Sequence, residues 1–190
     1  MINNPDESLE FSDHILLKRV LMPYKANCHY LNEASVMFSK LPLIHSSIGQ
    51  DTCILLAKGN FSIPESCYII NTGHFNAVEF NICYNQLGYY LLAECIRHRL
   101  FCDFLDWDIE EFIKHQLTNI LIIELFSSFH RLMNADKFTG YIEIKKIIKM
   151  EKILYLETVC GFKDNNGGYA TGKVLIAFVL INTNISIAKL

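Results

Sequence analysis

The sequence predicts an α+β protein, an antiparallel β-sheet wrapped around a long central helix, and three observations predict it. A stretch from Asn76 to about His98 is almost wholly apolar and too long for a strand. Four segments rich in Ile, Leu, Val, Phe and Tyr follow at 118–131, 138–150, 152–163 and 169–182. Between the last two, Asp164-Asn165-Asn166-Gly167-Gly168 offers residues that tolerate left-handed backbone, as a hairpin turn requires. One dominant helix among strands must bury its apolar surface against their sheet.

Taken in order, a first helix is expected at about 12–22, where Ile15, Leu16, Arg19, Val20 and Leu21 are spaced amphipathically and Pro23 ends it. A strand at 28–39 follows, then a polar loop through Pro42, Ser46, Ser47 and Gly49. A second strand at about 52–63 ends at Pro64. Asn76 suits the N-cap of the central helix, and Glu79 three residues later completes a capping-box pattern. A short acidic helix is expected at 106–116 with Trp107 near its start. In Tyr141-Ile142-Glu143-Ile144-Lys145 the apolar and polar residues alternate, as in a sheet with one wet face. Residues 147–156 also fit a helix.

At 190 residues the chain reads as one domain, 1–190, with an ample core. Its 51% hydrophobic and 19% charged content excludes a disordered polypeptide. A net charge of −3 with no basic stripe gives no footprint for nucleic acid. The polar, acidic start, Met1-Ile2-Asn3-Asn4-Pro5-Asp6-Glu7, reads as neither signal nor transit peptide. Seven cysteines, an odd number without paired spacing, point to reduced thiols in the cytoplasm. The long helix has the length of a membrane span, but Glu79, Asn81, Asn85, Gln86 and Glu94 would be costly in hydrocarbon. It reads instead as a helix wrapped by protein. No phosphate loop, H-E-x-x-H or G-x-S-x-G occurs, and no metal or other cofactor is expected. Glu111 and His115 are helix neighbours without a third ligand at a recognisable spacing, so they read as a solvated pair.

Thr72-Gly73-His74-Phe75-Asn76-Ala77-Val78-Glu79 puts hydrogen-bonding side chains where the long helix begins. The first amides of a helix lack internal partners, and its dipole makes that end partly positive. A carbonyl oxygen gaining negative charge would be stabilised there. His74 could move a proton, or could merely bond a turn carbonyl. Glu79 could act as a base or be occupied by its capping box. Tyr68, in the connection before the helix, could donate to an oxyanion or pack with its hydroxyl satisfied. Asn85 shares a helix face with Asn81, and as a buried amide it would need a polar pocket or a subunit contact. Cys67 stands beside Tyr68 with no basic neighbour in sequence, which favours an inert thiol over a nucleophile.

Lys58-Gly59-Asn60-Phe61-Ser62-Ile63, Thr72 through Glu79, and Cys83-Tyr84-Asn85-Gln86-Leu87 together resemble the FcoT-like thioesterase family. Supporting pieces are Arg19-Val20-Leu21-Met22-Pro23-Tyr24, Cys28-His29-Tyr30-Leu31, His115-Gln116-Leu117 and Asn165-Asn166-Gly167-Gly168, so the likeness spans about residues 14–182. The resemblance implies a hot-dog fold, homo-oligomers built from hot-dog dimers, and fatty acyl or enoyl thioesters of acyl carrier protein or coenzyme A as substrates. It implies either Michael addition of glycine to a (2E)-enoyl-carrier thioester, on the way to isonitrile lipopeptides, or hydrolysis of long-chain acyl thioesters. A non-catalytic acyl-binding protein is the reading from another class. The family's site tyrosines and asparagines fall here on Tyr24, Tyr68, Asn76 and Asn85, with His74 beside them as the proton-transfer group. Gly73, Phe75 and Glu79 would contact substrate, the Phe75 and Asn76 amides would polarise the thioester carbonyl, and Lys25 would hold the glycine carboxylate.

Overall fold

A computed structural model of the chain describes residues 9–38, 55–70, 73–101, 105–150 and 152–179. Helix α1 (His14–Leu21) starts where Asp13, in extended backbone, turns its carboxylate onto the Ile15 and Leu16 amides at 2.8 and 3.0 Å. Its buried face is Leu16, Leu17, Val20 and Leu21. Before it lies β1 (Leu9–Phe11), a short edge strand that the sequence pattern did not announce.

Strand β2 is Leu31–Phe38, three residues later than the pattern suggested, because Ala26–Cys28 form a 3-10 turn. A buried side chain sets that boundary. Gln86 accepts from the Tyr30 and Leu31 amides at 3.1 and 2.9 Å and donates to the Cys28 carbonyl at 2.5 Å. Strand β3 covers Leu55–Phe61. The polar loop at 42–49 and the expected strand start at Thr52 lie outside the described residues, as does Thr72.

Helix α2 (Ala77–Arg97) carries the capping box that the sequence predicts. The Asn76 side chain accepts from the Val78 and Glu79 amides at 2.9 and 3.3 Å, and the Glu79 carboxylate accepts from the Asn76 amide at 3.2 Å. Fifteen of its 21 residues are buried, so this helix is wrapped by protein. Among the described residues no helix is long and apolar enough to cross a membrane. Helix α3 (Ile109–Asn119) begins later than residue 106, because Asp108 makes the cap bond to the Glu111 amide while Asp106 faces Arg99 at the surface. Glu111 and His115 do pair, at 3.3 Å, and the histidine ring lies against Trp107.

Four long strands follow: β4 (Ile120–Arg131), β5 (Phe138–Met150), β6 (Ile153–Asp164) and β7 (Tyr169–Val179). Residues 147–156, which also fitted a helix, belong to β5 and β6, with Ile147 opposite Leu156. Among the described residues, seven strands pair antiparallel in the order β1-β2-β3-β5-β6-β7-β4. The inner face of this sheet holds α2 through an aromatic cluster. Phe75 and Phe138 lie 4.9 Å apart, Phe80 and Phe162 5.0 Å, and Phe61 stacks on Phe138 at 5.2 Å. A polar strut completes the contact where the Tyr84 hydroxyl meets Thr158 at 2.7 Å.

Candidate active site

The chain reaches α2 through Gly73, whose φ of +73° is a left-handed conformation that glycine adopts without strain. From there Phe75 drops into the core and Asn76 caps the helix. Two backbone bonds fasten this connection to the β4–β5 loop: Ile63 N–H to Ala135 O at 2.8 Å and Phe75 N–H to Met133 O at 3.1 Å.

These segments enclose a cavity of about 560 Å³. Its wall includes Ser66, Gly73, His74 and Glu79 on one side and the 132–136 loop with Asp164 and Asn166 on the other. Asp164 organises the far wall. Its carboxylate accepts from the Asn134, Gly168 and Asn166 amides at 2.7, 2.7 and 2.8 Å, tying the β6–β7 turn to the β4–β5 loop. Burial raises its pKa, but these amide bonds outweigh burial and hold it below the ordinary carboxylate value.

Of the residues expected at the site, Gly73, His74 and Glu79 line this cavity together. His74 is exposed beside it, whereas Glu79 is only 2% exposed. One Glu79 oxygen is committed to the capping box. The expectation that the Phe75 and Asn76 amides face a substrate needs correction. Phe75 donates to Met133 and Asn76 to Glu79, because the connection and the cap satisfy their own donors first. With Val78 and Glu79 bonded to Asn76, the first-turn amide left over by the cap is that of exposed Ala77. The Phe75 ring belongs to the aromatic core and lies outside the cavity wall.

Asn85 is half-buried rather than buried, and its amide bonds one turn back to the Asn81 carbonyl and side chain at 2.9 and 3.0 Å. The Asn81–Asn85 face of α2 is a side the sheet leaves open. Tyr24 and Lys25 lie at a second locus on the helix flank. Burial is the main cause raising the Tyr24 hydroxyl pKa, and Tyr89, Cys83 and Cys28 are the groups around it. Lys25 stands beside Cys28. Cys67 meets the Cys28 thiol and gives its amide to the Tyr30 hydroxyl at 2.8 Å. Burial is the main cause pushing the Cys28 thiol up to about 11. Between the two loci runs the 66–70 connection, where Tyr68, Ile69 and Ile70 are 45%, 47% and 93% exposed.

Sequence reasoning missed polar cavity residues, Glu65, Ser66, Asp136 and Asp164 among them. The Ser66 hydroxyl is buried without a hydrogen-bond partner, an uncommon state for a polar atom on a cavity wall. Asp164 gave no signal beyond the turn motif, since its bond to Asn134 crosses thirty positions.

A long interior helix whose capped end opens on a cavity beneath a curled antiparallel sheet defines a hot-dog protein of the acyl-thioester class. The chain belongs to the FcoT-like thioesterase family, whose domain matches residues 19–178. It is 38% identical to the (2E)-enoyl-ACP glycyltransferase of Streptomyces coeruleorubidus over 88% of this chain and 98% of that protein. It is 37% identical to the protein of the same name from Mycobacterium bovis over 85% of this chain and 84% of that one. Among solved structures, a Staphylococcus aureus protein in complex with CoA matches at a TM-score of 0.43 and 12% identity, over 65% of this chain and 70% of that one.

Proposed function

We propose that this chain is a (2E)-enoyl-ACP glycyltransferase, adding glycine to the double bond of an enoyl group held as a thioester on an acyl carrier protein. The observation that carries the reading is the cavity at the mouth of α2, where exposed His74, buried Glu79 and unpartnered Ser66 share a wall. The described part of that wall carries Glu65, Glu79, Asp136 and Asp164 and no lysine or arginine, a setting that draws in an amine as its ammonium form. The likeness to named glycyltransferases over most of both chains supports the same reading.

In this reaction His74 takes the proton that frees the glycine amine. The nitrogen bonds to C3 of the enoyl group, and the π electrons move to leave an enolate on the thioester oxygen. The Ser66 hydroxyl, on the cavity wall near the positive end of the helix, stabilises that oxygen. The proton then returns at C2. Nothing leaves, so the product is the thioester heavier by one glycine. No carboxylate-binding cation stands in the described cavity wall, and Lys25 lies on the other locus.

The protein works in the cytoplasm as a homo-oligomer. Edge strand β4 exposes Leu121, Ile123, Phe126 and Phe129 by 44–65%, and among the described residues its 12-residue outer edge pairs with no strand, an arrangement natural sheets seldom leave bare. A second copy pairing there would also approach Leu132 on the cavity rim.

Incubating a medium-chain (2E)-enoyl carrier thioester with and without glycine tests the proposal by intact-protein mass. A thioester-linked glycine adduct that falls by about a hundred-fold in His74→Ala supports it. Free acid alone would assign hydrolysis instead, and no turnover would assign acyl binding without catalysis.

A further inference from the structure

Cross-strand register gathers positive charge on the sheet face turned away from α2. Phe162 packs against α2 through Phe80, so its neighbours Gly161 and Lys163 face outward. Lys163 is paired with Tyr169, and Tyr169 with Arg131. Tyr141 is paired with both Lys58 and Gly161, and Lys173 lies two residues from Thr171, the partner of Gly161. Lys58, Lys163, Lys173 and Arg131 are exposed, and among the described residues none has a salt-bridge partner. Of the carboxylates on this face, Glu143 is paired with Lys145 at 2.6 Å, Glu157 with Lys146 at 3.8 Å, and Asp164 is bonded to backbone amides, while Glu124 lies opposite Leu175 next to Lys173. In a chain of net charge −3, four cations without ion-pair partners among the described residues thus share one face.

That face is also shaped. A groove of about 1040 Å³ runs over it. Tyr141 lies flat over Gly161, where an added Cβ would sit 2.7 Å from its ring. Tyr169 stacks on His130 with centroids 4.7 Å apart. The groove ends at the β6–β7 turn, and Asp164 there lines both the groove and the His74 cavity. A ligand on the outer face therefore sits one turn of chain away from the reaction site.

We propose that this basic face is the docking surface for the acidic carrier protein, which lies along the groove and passes its pantetheine arm around the β6–β7 turn to His74. The proposal rests on the carrier-thioester reading above. Charge complementarity selects the occupant: four unpaired cations suit an acidic protein surface, and exposed tyrosines supply flat apolar contact between them. An acyl chain without its carrier has no use for this face.

The test uses Lys58→Glu/Lys163→Glu against the unaltered protein. Labelled holo acyl carrier protein bearing a medium-chain enoyl group is titrated into each, and turnover is measured with the same acyl chain on the carrier and on N-acetylcysteamine. Carrier binding should weaken about ten-fold and KM for the carrier substrate rise with kcat kept, while kinetics on the small thioester stay unchanged. Added salt should weaken the unaltered protein more than the variant. Equal carrier binding by both proteins overturns the proposal. A change in oligomeric state with carrier binding intact also overturns it and gives the face to a second copy. If neither thioester is turned over, the binding titration still decides the docking, and only the reading of the reaction fails.

Discussion

Asp164 shows how one side chain builds a cavity wall. Its carboxylate replaces the bonds that three backbone amides would otherwise make to water. Asp164→Ala should cost about 1–3 kcal/mol in a urea titration, since those amides lose a buried acceptor. Its folded pKa is depressed, so its contribution is complete above the unfolded carboxylate value and is lost as pH falls through the folded one. Asp13 has the same sign, chiefly through its bond to the Leu16 amide and then through Arg97. Stability measured from pH 7 to 3 should therefore fall less steeply in Asp164→Asn than in the unaltered protein; parallel curves would refute this account. At Ser66 the expectation is different. Ser66→Ala removes a buried hydroxyl that lacks a partner, so stability should hold or rise slightly while turnover drops about ten-fold. Unchanged turnover would remove Ser66 from the reaction.

At the scale of elements, α2 is held at its beginning by the capping box and at its middle by Gln86. Asn76→Ala should cost about 1 kcal/mol, read as a lowered thermal midpoint. Gln86→Leu should cost more, about 2–4 kcal/mol, because the Cys28 carbonyl and the Tyr30 and Leu31 amides lose their partner together. That second loss should also loosen the Tyr24 locus, detectable as faster amide exchange at Tyr30 and Leu31. The capping box could be read in the sequence because its residues are three apart and its chemistry is local. The Gln86 clamp could not, since its partners lie more than fifty positions away. The same reason explains the late start of β2. Strand propensity continues back to residue 28, but a side chain from α2 takes the backbone groups that a ladder would need.

For the whole molecule, a β4 edge that pairs with no strand among the described residues predicts self-association. The unaltered protein should sediment as a dimer or larger, and Leu121→Lys/Ile123→Lys should shift it to monomer while keeping its circular dichroism. A parent that sediments as a monomer at micromolar concentration would remove the partner from the β4 edge. If the cavity is completed by that partner, the monomeric variant should also lose glycine addition.

The sequence by itself determined the long buried helix, its cap, the four late strands and their turn, because periodicity and capping act over a few residues. Its motifs also carried the family and the pairing of His74 with the helix mouth. Only the tertiary structure decided which donors remain available there, placing Ser66 and Asp164 on the cavity wall and Tyr24, Lys25 and Asn85 away from it. It alone also assembled the basic outer face from four different strands. Those outcomes depend on register and on hydrogen bonds between distant segments, and a buried donor goes to whichever acceptor the fold brings nearest.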